Sequence, residues 1–405
     1  MRFSNSQGEQ VTDELRVLFI TGEFPPMQGG VGDCTNEIAH SLAALNVDVQ
    51  VLTSTRAQPA IRHSPFTIRP TVSNWNWSSL RTIDQVCREF KPDIVHIQYQ
   101  TGAFGLHPAI NLTPPLVPLF PSFPSHIRFV ATFHDLLPPY LFPKAGAARD
   151  WVTRVLAQSC DAVISTNDDD YLKLETWNLE HLDLIPIGSN ITTEPIANYQ
   201  REAWRAKLGV AENETLLCYF GFLNESKGGE TLIRALAQLP NAKLLMIGGQ
   251  VGASDPTNIA YLAKIKSLIS DLQLTNRIIW TDHVPPEIVS AHFYASDICV
   301  MPYRDGASYR RGTLMAALAH GMAIVTTVNS QQSTVDSDRL PRLIDSENCL
   351  LVTPDNPQAI ASAVHRLMSS SELRTRIGAG AHELAQHFTW DKIAQQHLEL
   401  YERSI

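Results

Sequence analysis

The sequence predicts an α/β protein made of two doubly wound domains facing each other across a cleft. Three observations carry that expectation. Short apolar runs of strand length alternate with amphipathic runs of helical period along nearly the whole chain. The alternation breaks once, at "IGSNITTEPIANYQ", and then restarts. The opening strand of each half leads into a glycine-bearing turn. A chain of 405 residues also exceeds a usual single core and suits two domains.

In the first half, "RVLFITG" from Arg16 is an apolar run of the kind expected of a strand buried on both faces. The turn "EFPPMQGGVGD" follows, then "CTNEIAHSLAAL", with Ile38, Leu42 and Leu45 at helical spacing. "VDVQVLTS" reads as a strand, "SSLRTIDQVCREF" as a helix and "PDIVHIQY" as a strand. The proline-rich segment 101–126 is expected to be mostly loop. "FVATFHD" is the next strand, "RDWVTRVLAQSC" a helix, and "DAVISTN" and "LDLIPIG" are strands.

The second half supplies six strands: "TLLCYFGFL", "AKLLMIGG", "RIIWTD", "DICVMPY", "MAIVTT" and "CLLVTP". Between them lie the helices "ETLIRALAQL", "YLAKIKSLISDL", "PEIVSAHFYA", "GTLMAALAHG" and "PQAIASAVHRLM", and two more close the chain. The expected layout is a frayed leader at 1–14, Rossmann-like domains at 15–190 and 191–385, and a C-terminal helix at 386–405. Ligands of such sheets bind beyond the carboxyl ends of the strands.

Composition narrows the function classes. Hydrophobic residues make up 44% and charged residues 18%, as in ordinary folded enzymes. The formal net charge of −9 disfavours nucleic acid as a partner, so any anionic ligand needs a few local cations. The six cysteines form no C-x-x-C pair and suit buried free thiols in a reducing compartment. No apolar run approaches the ~18 residues of a membrane span. The polar N-terminal stretch has no apolar signal core, and a cytoplasmic location is expected, with peripheral membrane contact left open.

Four clusters carry candidate chemistry. Gly30 and Gly32 follow the first strand, where glycine lets backbone approach a phosphate at a helix N-terminus. Thr35 stands where a dinucleotide fingerprint needs its third glycine, so a bare tight turn is the alternative. His134 and Asp135 end an apolar strand and point to hydroxyl orientation or proton transfer; a strand-end cap is the alternative. Lys227, beside Gly228, suits a phosphate, or else is a solvated loop lysine. Arg310 and Arg311 precede Gly312 and Thr313 at the mouth of a thin, alanine-rich helix. Guanidinium forks plus a helix N-terminus make a diphosphate site; a surface pair neutralised by Asp305 is the alternative. Gly321 is expected to close that helix in the left-handed conformation. No metal ligand set stands out.

Taken in order, "FPPMQGGVGDCTNEIAHSLAAL", "PDIVHIQY", "TFHDLLP", "LIPIGSNI", "FGFLNESKGGETLIRAL", "VPPEIVSAHFYASDICVMPY" and "FTWDKIAQQHLELY" resemble the signature segments of GT-B glycosyltransferases, close to family 4. The resemblance spans nearly the whole chain. It implies retaining, metal-independent sugar transfer from a nucleotide-diphospho-sugar, with no cofactor. The partners implied are that donor and a sugar, lipid or small-molecule acceptor, within glycan or glycoside synthesis. The first domain would take the acceptor and the second the donor, and the last helix would cross back to the first domain. Gly30, Gly32 and Lys227 would then face the donor phosphates and His134 the transferred sugar or acceptor. Two features depart from the pattern, at three positions. Phe222 replaces the arginine of the family's "GRL", and Ser308 and Ala316 occupy the places of its two glutamates. Arg310 or Arg311 is expected to supply the cation missing at Phe222. A catalytically weak sugar-nucleotide-binding or scaffold subunit, a sugar-nucleotide epimerase and a nicotinamide dehydrogenase are the competing functions.

Overall fold

The computed structural model describes residues 14–27, 29–57, 64–121, 123–136, 146–250, 256–328 and 339–405. Nearly all of the expected leader therefore lies outside the described residues. The chain divides into two compact units. One comprises Met1–Thr166, Asp170–Ile185 and Ile393–Ile405; the other comprises Asn167–Asp169 and Pro186–Lys392.

The first half of the chain runs β1 (Arg16–Thr21), α1 (Gly30–Ala44), β2 (Asp48–Ser54), β3 (Thr67–Val72), α2 (Ser79–Phe90) and β4 (Ile94–Tyr99). It continues with α3 (Thr113–Leu116), β5 (Arg128–Phe133), α4 (Gly146–Gln158), β6 (Ala162–Ser165), α5 (Asp168–Glu175) and β7 (Leu182–Leu184). The seven strands pair in the order β3-β2-β1-β4-β5-β6-β7, and every pairing is parallel. The order reverses between β1 and β4, so the carboxyl ends of β1, β4 and β5 form the edge where a doubly wound sheet takes its ligand.

One strand escapes the sequence pattern. β3 reads "TIRPTV" and lacks an apolar run, because it is an edge strand with mostly half-buried residues. Pro70 is tolerated there for the same reason. The proline-rich segment is mostly irregular, as expected, but it contains α3 and is a working part of the core. Phe104, Ile110 and Val117 are buried with Leu80, Ile83, Val86 and Phe90 of α2. Each large apolar side chain so buried contributes about 1.5–3 kcal/mol.

The second half runs α6 (Arg201–Lys207), β8 (Thr215–Phe220), α7 (Gly229–Leu236), β9 (Ala242–Ile247), α8 (Pro256–Asp271), β10 (Ile278–Trp280) and α9 (Pro286–Ala295). It ends with β11 (Ile298–Met301), α10 (Gly312–Ala319), β12 (Ile324–Thr327), β13 (Leu350–Val352), α11 (Pro357–Ser369), α12 (Ser371–Ala385) and α13 (Trp390–Ser404). All six expected strands form, in the parallel order β10-β9-β8-β11-β12-β13. Helices α7, α8 and α11 share one core with this sheet through Leu232, Leu236, Ile265, Val364 and Leu367. The thin helix α10 buries Ala316 and Ala317 completely. Gly321 closes it at φ +59°, and a Cβ on Gly378 of α12 would stand 2.4 Å from the Gly321 carbonyl oxygen. Small residues thus let two backbones touch.

Five of the six cysteines are buried and all six are free thiols. No helix of the described residues is long and apolar enough to cross a membrane.

Candidate active site

The sheet edge of the second unit is cationic. β8 ends at Phe220, and Gly221 follows at φ +109°. A Cβ there would stand 2.9 Å from Thr313 Cγ2 and 3.1 Å from Lys227 Nζ, so glycine alone leaves room for both. Lys227 sits in the short turn Glu225–Lys227, whose start is capped by the Asn224 side chain accepting the Lys227 N–H at 3.1 Å. Gly228 then reverses the chain at φ +70°, with Pro302 O only 1.9 Å from where a Cβ would be. These constraints press the lysine inward. Lys227 is 8% exposed, and its Nζ lies 3.9 Å from the Phe222 ring centroid. Burial, with Arg311 nearby, lowers its pKa to about 7. It is no solvated loop lysine.

The neighbouring strand β11 supplies the rest. Tyr303, buried just past its end, holds its hydroxyl 3.0 Å from Thr313 Oγ1 and 3.2 Å from Met301 Sδ. The Arg311 guanidinium stacks on the Tyr303 ring at 4.3 Å. Arg310 donates to Asp305 at 2.9 Å, and Arg311 donates to the other oxygen of the same carboxylate. Asp169, which clusters with this unit, lies 4.0 Å from Arg310. Asp305 does pair with both arginines, yet neither is a surface group: each side chain is only 11% exposed. Arg311 Nε is buried with no hydrogen-bond partner among the described residues. Arg311 is also the N-cap of α10, so Gly312 and Thr313 open a helix whose first N–H groups lack helical acceptors. A Cβ on Gly312 would meet nothing closer than Asn190 Oδ1 at 3.8 Å. Ser308 and Ala316 are buried, and neither can carry charge.

The sheet edge of the first unit is built differently. α1 starts at Gly30, four residues before the expected "CTNEIAHSLAAL" run, so the glycine turn is the helix N-terminus itself. That terminus is already occupied. Glu23 Oε1 accepts the N–H of Val31 at 3.1 Å and of Gly32 at 3.5 Å. A Cβ on Gly29 would lie 2.0 Å from the same oxygen, and one on Gly32 would lie 2.8 Å from Glu23 O. Only Gly30 faces open space, with nothing within 4 Å. Thr35, in the fingerprint's third-glycine position, uses its hydroxyl on Val31 O at 2.7 Å.

His134 follows β5; its backbone N–H donates to Tyr99 O at 3.1 Å, as a strand-end residue would, and its side chain enters a network. Its Nε2 lies 2.7 Å from Gln98 Oε1. Gln98 Nε2 lies 3.2 Å from His96 Nε2, which is also 2.7 Å from Thr132 Oγ1. His96 Nδ1 lies 2.6 Å from the hydroxyl of Tyr401, in the part of α13 that belongs to this unit. Burial drives the His134 pKa down to about 3 and holds His96 well below the usual imidazole range. With so low a pKa the His134 imidazole stays neutral and is a weak base, better suited to hydrogen-bonding a hydroxyl than to taking its proton. Asp135 is half-buried at the same edge.

Sequence reading missed His96, Gln98 and Thr132. Their signal was period two: polar residues at alternate positions of β4 and β5, lining one face of strands that are otherwise apolar.

Two family profiles match this chain. "Glycosyl transferase 4-like domain" covers residues 29–188, and "Glycosyl transferases group 1" covers residues 200–384. Each match falls on one doubly wound half, and together they take in most of the sequence. The fold is that of the GT-B glycosyltransferases, and the chain belongs to their group 1, family 4-like branch.

Among curated relatives, a D-inositol 3-phosphate glycosyltransferase of Xylanimonas cellulosilytica is 26% identical over 61% of this chain, which spans only 58% of that protein's length. An alpha-maltose-1-phosphate synthase of Mycolicibacterium smegmatis is 25% identical, with 96% of this chain and 99% of that one covered. Among solved structures, a sucrose-phosphate synthase of Thermosynechococcus elongatus matches at TM-score 0.74 with 23% identity, covering 96% of this chain and 99% of that one. The Anabaena protein HepE, in complex with UDP and glucose, also matches at TM-score 0.74, with 19% identity over 96% of this chain and 100% of that one. These structural likenesses establish the fold.

Proposed function

We propose that this protein is a retaining, metal-independent glycosyltransferase that moves a sugar from a nucleotide-diphospho-sugar to a hydroxyl-bearing acceptor. The observation that carries the reading is the buried Lys227, held beside Arg311 and the N-terminus of α10 at the reversal point of the second sheet. A lysine buried at such cost needs an anion to justify it, and a departing diphosphate is that anion. When the sugar C1–O bond breaks, its electron pair goes to the phosphate oxygen. Lys227, Arg311 and the N–H groups of Gly312 and Thr313 would stabilise the charge arriving there. The acceptor oxygen bonds to C1, and its proton leaves with the diphosphate. His134, its pKa lowered by burial, would hold a hydroxyl rather than take that proton. Relatives named for sugar transfer, and a fold neighbour holding UDP and glucose, support the choice of donor class.

Arg311 is the residue proposed to replace the arginine lost at Phe222. It stacks on Tyr303 and keeps a buried Nε unpaired. Replacing Arg310 and Arg311 together with alanine should weaken binding of a nucleoside diphosphate, measured by calorimetry; unchanged affinity sinks the assignment. The buried Ala316 and Ser308 favour one second reading, a sugar-nucleotide-binding subunit with little turnover. A panel of nucleotide sugars, offered with and without acceptors, separates the two: binding without transfer selects the second.

A further inference from the structure

The polar stripe of the first unit does more than satisfy buried groups; it has a direction. Gln98 is the element that fixes it. Its amide nitrogen can only donate, and it faces His96 Nε2 at 3.2 Å. His96 Nε2 must therefore be bare and its single proton must lie on Nδ1, aimed at the Tyr401 hydroxyl at 2.6 Å. The amide oxygen of Gln98 can only accept, and it faces His134 Nε2 at 2.7 Å. His134 must then carry its proton on Nε2. Its Nδ1 is left as a lone-pair acceptor with no hydrogen-bond partner among the described residues, and it is not one of the fully buried unpaired atoms.

We propose that Gln98 is a positioning residue that locks His134 in the Nε2–H tautomer, so that Nδ1 receives a hydrogen bond from a hydroxyl of the bound sugar or acceptor. The lock is anchored on the far side by His96 and Tyr401. This rests on the glycosyltransferase reading for its ligand, but not for its geometry. The group closest in character is His397 on α13, whose Nδ1 bonds Ile393 O at 2.8 Å and whose ring packs 5.7 Å from His96. It too is neutral and supplies no charge that would override the amide. A reversed chain is the rival arrangement. With the Gln98 amide turned over, His96 would carry its proton on Nε2 and His134 would carry one on Nδ1, making it a donor.

The test is nitrogen-15 NMR on ligand-free protein labelled at histidine. The inference expects His134 protonated on Nε2 and His96 on Nδ1, both without titrating between about pH 5 and 8. A proton found on His134 Nδ1 overturns it. In Gln98→Leu the His134 signal should become a tautomer mixture; an unchanged pure tautomer overturns the role of Gln98. Gln98→Glu guards against a variant that fails to fold. It keeps an acceptor toward His134 and should keep the Nε2–H tautomer, while the added carboxylate should move the acid limb of the activity profile to higher pH. For transfer, Gln98→Leu should lower kcat/KM about tenfold, the worth of roughly one hydrogen bond, with affinity for the nucleoside diphosphate unchanged. The tautomers are read without ligand, so they decide the inference even if no nucleotide sugar is turned over.

Discussion

Each unit of this protein ends its parallel strands in a cluster of ionisable groups, and the two clusters handle charge in opposite ways. At the edge of the first unit, His96, His134 and His397 are kept neutral by burial and hydrogen-bonded to Gln98, Thr132, Tyr401 or backbone. At the edge of the second, Arg310 and Arg311 share Asp305 at a helix N-terminus, and Lys227 lies close enough to Arg311 to feel its charge. The first is a network of neutral groups that offers directed hydrogen bonds. The second is an incomplete one that an anion would finish. Sugar transfer needs both kinds: hydroxyls to be aligned and a diphosphate to be stabilised as it leaves.

The sharpest way to break the contrast is Lys227→Met. If Lys227 meets charge that develops only in the transition state, kcat/KM should fall by about 10²–10³, the cost of deleting one preorganised donor. The melting temperature should hold or rise, because the change removes a desolvated cation. Equal losses of stability and activity would make Lys227 structural. The pH dependence follows the same logic. With a folded pKa near 7 against an ordinary lysine value of 10.5, the unfolded chain binds the extra proton between those values. Stability should therefore climb as pH rises through that window. A bound diphosphate restores the charged form, so nucleotide affinity should weaken above about pH 7 in the wild type, and that slope should vanish in Lys227→Met.

Acid should reveal the histidine side. His134 and His397 have folded pKa values of about 3 and about 4 against an ordinary 6.5. A depressed imidazole stabilises the native state above 6.5, and the benefit is lost as pH falls toward 4 and then 3. Denaturant titrations across that range should show the loss, and His397→Gln should flatten it.

Glycines sharpen the comparison further. Gly228→Ala places a Cβ 1.9 Å from Pro302 O at φ +70°, and should lower stability by about 3 kcal/mol or more through strain and displaced backbone. Gly30→Ala meets nothing within 4 Å and should leave the melt unchanged. A selective loss of nucleotide binding in Gly30→Ala would mark the point where a ligand approaches.

Much of the fold was legible because parallel strands buried on both faces read as uninterrupted apolar runs. All six strands of the second sheet form where such runs lie. The edge strand β3, with Arg69 and Pro70, carries no such run and is visible only in its pairing with β2. At the site, Lys227 and Arg311 stood out as charges at strand ends, but the reason they matter did not. That Lys227 lies over Phe222, or that Arg311 lies over Tyr303, depends on chain reversals at Gly221 and Gly228 that no periodicity encodes. The polar stripe of His96, Gln98, Thr132 and His134 could have been read from its alternation. Its link to Tyr401 joins residues 305 positions apart, beyond any local pattern.

The smallest expected effect concerns Glu23, and it tests whether the first unit takes any share of the donor's charge. The N-terminus of α1 would suit a phosphate, yet the Glu23 carboxylate already accepts the Val31 and Gly32 N–H groups. Burial raises the Glu23 pKa despite those bonds. An anionic ligand reaching Gly30 would meet that carboxyl group beside the helix end, as a like charge when it is ionised. Glu23→Gln removes that charge and keeps the size of the side chain. Loss of a helix-end carboxylate should cost about 0.3–1 kcal/mol of stability. If phosphate does approach the glycine turn, the same change should tighten binding of a nucleoside diphosphate by a few-fold, and lowering the pH toward protonation of Glu23 should mimic it in the wild type. If affinity stays level while stability falls, Glu23 is the permanent cap of α1. The glycines at 29 and 32 then serve that carboxylate alone, and the diphosphate is held by the lysine and arginine edge of the second unit.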